Sequence, residues 1–434
     1  MGEDNSDKIV IDVWLNLWPM WTELLDPIRD RAAEFEALYP EYAVKIIGIP
    51  FPTMAAEVDK AARAGTPGPT LAAYQYTVTQ NARDAVTADG TPLFTSVEQA
   101  IGGRTEILGE PVVLGDLVAN PRDYYTFDGE ITSMPRNTST ILLFANMTLL
   151  EAAGIESVPQ TWDELEAASK TLLAAPGGPA HAVTWPNFGW FFQQSVGQQG
   201  GLLANHDNGR SGRADKVDLA SAEMLAYVHW WRRMHENGYY RYTGKPTDWP
   251  GTFVAFAGQE VAFLMSSSVE AGPIIQAGID GGFRVEAAPM PYNSHAPYYG
   301  SQVAGESLWL ASGLDKATQD GALAFMQYLA SPVNGDSRYE HGRTFVPATE
   351  AAITRLENEG WFERNPHLRV AIDTLRETVD TPATRAAIFG NFGEIQNITA
   401  AAMHDVLAEG ADPDVRFAEA TIAAQAALDA YNQR

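Results

Sequence analysis

The sequence predicts an α/β protein of two lobes with a ligand cleft between them. Three observations lead there. Strands and helices alternate with short joins over Lys8–Tyr76. A long extended stretch, Glu130–Asn146, then interrupts that pattern and reads as a crossing from one lobe to the other. Finally, 434 residues suffice for two or three domains, each with its own core. Repeated βα units argue for a parallel sheet flanked by helices, and in such sheets ligands sit beyond the carboxyl ends of the strands.

Lys8–Leu15 (KIVIDVWL) is a buried strand by its Ile/Val run, and a loop carrying Trp18 and Trp21 follows. Thr22–Leu38 has helical spacing through Leu25, Ile28, Ala32, Phe35 and Leu38, and Pro40 ends it. Tyr42–Ile49 is a second strand, Met54–Ala64 a helix stopped by Gly65 with Pro67 beyond, and Thr70–Tyr76 a third strand. The loops after these strands carry Trp18, Phe51 and Gln75, which makes them natural site candidates. Thr161-Trp-Asp-Glu164 is a capping box, so a helix runs from about Trp162 to Ala174. Leu219–Met234 is a further amphipathic helix, and Phe253–Gly258 leads into the strand Val261–Ser266. Arg284–Pro291 and Ser307–Ala311 read as strands returning to the first lobe, and the chain from about Lys316 is almost wholly helical. The expected division is 1–125 for lobe 1, 126–283 for lobe 2, 284–326 for the return to lobe 1, and 327–434 for helices of lobe 2 and the hinge.

Composition narrows the function. Fifty-five acidic residues against 29 basic ones give a net charge of −26. Such a surface repels nucleic acid and anionic lipid, which need Lys and Arg to displace counterions. With no cysteine there is no disulfide, thiolate metal site or Cys nucleophile. No run is long and apolar enough to span a bilayer, and Met1-Gly2 before Glu-Asp-Asn-Ser-Asp reads as an added start after a cleaved leader.

Signatures of catalysis are missing. No G-x-S-x-G, H-E-x-x-H, phosphate loop or G-x-G-x-x-G is present. The eight His are scattered, and His229 beside Trp230 and Trp231 reads as a packed or half-exposed histidine. The acidic pairs Asp26/Asp30 and Asp163/Glu164 lie at helix starts, where carboxylates suit the dipole and cap the backbone. A carbohydrate-active enzyme is the rival reading, since glycosidase carboxylates have no obligatory local signature.

Five motifs then occur in order: Thr161-Trp-Asp-Glu-Leu165 after an Ala-Gly-Ile helix end, Phe256-Ala-Gly-Gln-Glu-Val-Ala-Phe-Leu-Met265, Gly305-Glu-Ser-Leu-Trp309, Phe325-Met-Gln-Tyr-Leu-Ala-Ser-Pro332 and Phe345-Val-Pro-Ala348. Together they resemble the extracellular solute-binding proteins of carbohydrate ABC importers, closest to the glycerol-3-phosphate and glycerophosphodiester branch. The resemblance implies the two-lobed periplasmic-binding-protein fold, no cofactor and no metal. It also implies a small-molecule carbohydrate ligand, an ABC permease in the membrane as partner, and a monomeric extracytoplasmic protein, periplasmic or held at the cell surface as a lipoprotein.

Carried over by resemblance, the ligand positions depart from the phosphate branch in one direction. An aromatic hydroxyl becomes Phe51, a carboxylate becomes Gln75, the tyrosine before Val-Pro becomes Phe345, and the phosphate-holding arginine after Gly390-Asn391 becomes Gln396. Kept are Ser139, the aromatic wall in Trp185 and Trp190, the glycine at 305, and a hydroxyl among Ser266, Ser267 and Ser268, of which Ser267 is taken. With Trp18 these make the candidate ligand site. Amides, hydroxyls and flat aromatic faces suit a neutral oligosaccharide, sugar or polyol. A glycerophosphodiester or glycerol-3-phosphate is the alternative. The expected mechanism is ligand-driven closure, for which a population shift from 1:99 to 99:1 takes about 5.5 kcal/mol of differential affinity.

Overall fold

In the computed structural model, which describes residues 8–18, 22–66, 68–335 and 345–434, the chain divides into two units, each with its own sheet and core. One unit takes the chain up to Thr138, resumes at Ala304 and closes with Val346–Trp361. The other holds Ser139–Val303, Phe345 and Phe362–Arg434. Trp21 and Pro67, singled out above, lie outside the described residues. In chain order the main strands and helices are β1 (Ile9–Leu17), α1 (Asp26–Leu38), β2 (Tyr42–Pro50), α2 (Met54–Ala64), β3 (Leu71–Gln75), β4 (Ile141–Asn146), α3 (Trp162–Ala174), β5 (Val183–Thr184), α4 (Gly189–Gln198), α5 (Ala222–Glu236), β6 (Phe263–Ser267), β7 (Val285–Pro289), β8 (Glu306–Ala311), α6 (Lys316–Ala330), α7 (Phe392–Glu409) and α8 (Pro413–Asn432).

The first unit is built on the sheet β2-β1-β3-β8, with Phe94–Thr95 and Met134–Pro135 added along β8. β1 pairs in parallel with β2 and with β3, as the βα alternation requires, while β8 runs antiparallel to β3. Alternate residues Ile11, Val13 and Leu15 of β1 are buried, and with Leu71, Leu308 and Leu310 they meet Phe35 of α1 and Phe325 of α6. The two phenyl rings meet edge to face at 5.2 Å. Gly65 caps α2 in the left-handed region at φ 62°, a conformation that carries no Cβ penalty in glycine.

The second unit has the sheet β5-β6-β4-β7, with β4 antiparallel to both of its neighbours. Every residue of β4 and β6 is buried, which fits their unbroken apolar runs. Beside the sheet sits an aromatic core. Trp230 of α5 is stacked between Trp162 of α3 at 5.0 Å and 12° and Trp185 at 5.6 Å and 7°. Trp231, Tyr227, Tyr240 and Phe192 close around them. The capping box of α3 is formed in full, Thr161 and Glu164 each accepting from the other's backbone N–H.

The unit boundaries depart from the expected ones in three places. Residues 126–138 belong to the first unit, because Met134–Pro135 pairs with β8. β7 does not return to the first unit; it completes the sheet of the second by pairing with β4 from Asn146↔Val285 to Leu142↔Pro289. Most of 327–361 lies in the first unit, where the apolar face of α6 joins the core around Phe35. An apolar alternation announces a strand but not the sheet that will take it, since any unpaired edge offers the same hydrogen bonds.

Candidate functional site

Within the first unit, the parallel register of β1 and β2 sets Leu17 opposite Pro50. The residues that follow therefore emerge together at the carboxyl edge of the sheet, where the Trp18 and Phe51 rings stack at 3.8 Å and 19°. Gln75 ends β3. Its Oε1 accepts from the Thr77 N–H at 2.9 Å and from the Thr77 hydroxyl, which fixes the turn and leaves Nε2 as the remaining donor. Opposite Gln75 stands Glu306, which the sequence reading passed over. Its Oε2 accepts from Asn16 Nδ2 at 2.7 Å, while Oε1 accepts from Asn137 Nδ2 at 2.8 Å and from Arg136. Both ions are nearly fully buried, and burial pulls the Arg136 guanidinium below its ordinary value despite the carboxylate beside it. A carboxylate at the head of the run Ser307-Leu-Trp-Leu310 and an arginine in a buried extended segment were visible signals of such a pair.

Gly305 has a packing reason to be glycine. Its φ is +145°, and a Cβ there would lie 2.1 Å from the Asn137 carbonyl oxygen. Its own carbonyl accepts from the Tyr76 N–H at 2.9 Å, so it locks the end of β3 beside β8. The expected ligand-approach role has no contact here that requires it.

Within the second unit, Ser139 and Ser267 are buried near the β4–β6 pair. Ser267 caps the short helical turn Ser268–Glu270 through the Val269 N–H at 3.3 Å. Ser266 donates to Glu270, and Ser268 Oγ accepts from the Thr140 N–H. Each of the three hydroxyls thus has a protein partner, and that of Ser267, which only accepts, keeps its proton to donate. Phe345 is half-buried at the edge of a segment whose next residue, Val346, donates to the Thr138 carbonyl.

Trp185 is a correction. It is fully buried, faced by Trp230 and flanked by Trp231 and Tyr240, and its carbonyl accepts from the Tyr240 hydroxyl at 2.8 Å. The side chain fills the aromatic core and has no face left for a ligand. Trp190 differs. It sits in the first turn of α4 at 4% exposure with Phe191 alone as a ring neighbour, and its Nε1–H, like that of Trp185, is buried with no partner among the described residues.

Gln396 lies on α7 against the start of α4, so close that a Cβ on Gly189 would meet its Cβ at 2.3 Å. Its Nε2 donates to Gln193 Oε1 at 3.2 Å. This opens on a polar seam the sequence reading also missed. Gln194 Oε1 accepts from the Gln302 N–H at 3.0 Å, and Gln302 in turn donates through Nε2 to the Ala383 carbonyl. The pattern Gln-Gln-Ser-Val-Gly-Gln-Gln at 193–199 is the signal that would have found it, because a wholly buried helix rarely carries so many amides without purpose.

The acidic pairs considered for catalysis are structural. Glu164 belongs to the capping box and Asp26 pairs with Arg29 at the surface, while His229 meets Asp414 at 3.1 Å in an exposed pair.

A family model described as bacterial extracellular solute-binding protein matches residues 30–370. The chain belongs to that family. Its members are extracytoplasmic binding proteins for ABC importers and not enzymes. Among curated relatives, the sn-glycerol-3-phosphate-binding periplasmic protein UgpB of Pectobacterium atrosepticum is 27% identical over 285 residues, 63% of this chain and 62% of that protein. The match thus spans less than two thirds of the relative's length. Among solved structures, the sugar-binding protein MalE of Xanthomonas citri superposes with a TM-score of 0.76 at 17% identity, covering 98% of both chains. UgpB from Mycobacterium tuberculosis in complex with glycerophosphocholine superposes at 0.73 with 21% identity, over 97% of this chain and 98% of the other. At these identities the superpositions establish the fold, the two-lobed one expected from the sequence.

Proposed function

We propose that this solute-binding protein captures a small neutral carbohydrate-like solute (an oligosaccharide, sugar or polyol) and delivers it to an ABC permease. The observation that carries the reading is the Gln396–Gln193 amide pair at 3.2 Å, standing where the phosphate-binding branch is expected to hold an arginine. A guanidinium gives a phosphate charge-assisted bonds worth roughly 1.5–3 kcal/mol each, whereas a neutral amide donor contributes about 1 kcal/mol. That cannot offset the desolvation of a phosphate anion. The net charge of −26 works against an anionic ligand at longer range as well.

The remaining proposed contacts fit the same ligand. Gln75, Ser139 and Ser267 would bond hydroxyls, Trp18, Phe51, Trp190 and Phe345 would cover the C–H faces of a sugar ring, and Gly305 would border them. A glycerophosphodiester is the second reading, favoured by the relatives that bind sn-glycerol-3-phosphate. A thermal-shift panel decides between them, because ligand at about 100 times its Kd stabilises by about 2.7 kcal/mol. Neutral saccharides and polyols should raise the melting temperature, and glycerol-3-phosphate should not. A larger shift with any phosphate ester than with every neutral compound would overturn the reading.

A monomer, a cleaved leader and a lipid anchor on a preceding segment belong to the same proposal. Light scattering on the purified protein and detergent partition of the native one test them.

A further inference from the structure

The first turns of α4 hold three buried side-chain nitrogens that nothing among the described residues accepts, those of Trp190, Gln193 and Gln194, and two of them form a pair: Trp190 Nε1 at 4% exposure and Gln193 Nε2 at 1%. Three residues apart on a helix, they lie on one face, one turn after the other. The orientation of Gln193 is fixed by chemistry on its far side. Gln396 Nε2 donates to its Oε1, so the amide oxygen is used and the amide nitrogen is presented. Gly189 permits this arrangement, since any side chain there would collide with Gln396 and push α7 away from α4. Phe188, the residue before the helix, supplies no side-chain cap, although its carbonyl accepts from the Phe191 N–H at 3.1 Å.

Leaving two buried donors unmade costs the desolvation of each group, and proteins rarely accept that without a partner to come. The partner these donors select is an uncharged acceptor. There is no cation in the set to balance a phosphate or carboxylate, and the amide of Gln396 is already engaged as a donor.

We infer that Gln193 is a further specificity-determining residue: its Nε2 and the Trp190 Nε1 together receive one hydroxyl or ring oxygen of a neutral sugar or polyol. The assignment rests on the neutral-ligand reading above. It adds a residue that reads the ligand from the second turn of α4, behind the aromatic face.

Isothermal titration of the full chain with maltose, ribitol and glycerophosphocholine tests it, followed by the same titrations on Gln193→Glu and Gln193→Leu. Gln193→Glu keeps the acceptor that Gln396 uses and replaces the unmade donor, at a cost in stability because it brings an acid into a buried site. Gln193→Leu removes both. Against whichever neutral compound wild type binds, each variant should lose about five- to ten-fold in affinity, one hydrogen bond's worth, measured below its own melting temperature. Gln276→Ala, a surface change outside the site, should bind like wild type.

Unchanged affinity in Gln193→Glu, with or without a lower melting temperature, would mean that a trapped water or the fold alone uses the donor, and would overturn the assignment while leaving the neutral ligand standing. Preference of wild type for glycerophosphocholine, or no binding of either neutral compound at millimolar concentration, would overturn the ligand class and the Gln193 assignment with it.

Discussion

Trp190 lies in the first turn of α4 with a single ring neighbour among the described residues, Phe191 at 6.4 Å, whereas Trp185 is enclosed by Trp230, Trp231 and Tyr240. Their replacement by alanine should therefore separate two effects. Trp190→Ala should weaken sugar binding by about 1–3 kcal/mol in calorimetry and leave the melting temperature nearly unchanged. Trp185→Ala should cost about 3–5 kcal/mol in denaturant-induced unfolding, with the affinity of the folded fraction intact. The sequence could not tell these two apart, because the partners that enclose Trp185 come from α5 and the segment after it, far along the chain. His367 offers a pH test. Burial lowers its pKa from 6.5 to about 4, so the folded protein holds the ring neutral where the unfolded chain would protonate it. Its contribution is complete above pH 6.5 and is lost progressively as pH falls from 6.5 towards 4. His367→Leu should flatten that part of the stability profile in chemical denaturation measured at several pH values, and an unchanged acid slope would contradict the assignment.

Among the elements, α2 and α3 lie where periodicity and capping placed them, since their signals are local: a left-handed glycine after Ala64 and a reciprocal cap at Thr161. Strand pairing was less legible. β7 and β8 look alike as short apolar strands, yet one joins β4 and the other β3. What separates them is the Gly305–Glu306 step, where a glycine at φ +145° presses on the Asn137 backbone and a carboxylate gathers Asn16, Asn137 and Arg136. Such long-range partners leave no periodic trace. The step can be tested directly. Gly305→Ala must relieve both an unfavourable φ and a clash with backbone, so it should destabilise the protein by at least about 1–3 kcal/mol, read as a lower denaturation midpoint. Wild-type stability in that variant would show that the β3–β8 junction is softer than its geometry implies. The glutamine seam on α4 was legible in composition alone, but its pairing with Gln302 and Gln396 required the fold.

At the scale of the molecule, the sequence announced two lobes through the interruption at Glu130–Asn146, and the passage from one unit to the other does fall inside it, at Thr138–Ser139. The later passages were misplaced because helices such as Glu350–Asn358 carry no mark of the unit to which they belong. Each unit has its own sheet and core, so each is able to lose its structure on its own account. The three parallel indoles of Trp162, Trp230 and Trp185 give one unit a spectroscopic signature that the other lacks. Indoles packed that closely in one fixed, asymmetric setting should add a near-ultraviolet circular-dichroism band dominated by the stack, separate from the far-ultraviolet helical spectrum. Heating the protein while following that band beside the helical signal should then report the second unit alone: coincident curves mean one cooperative molecule, and displaced curves mean two melting partners joined by a few strands of chain.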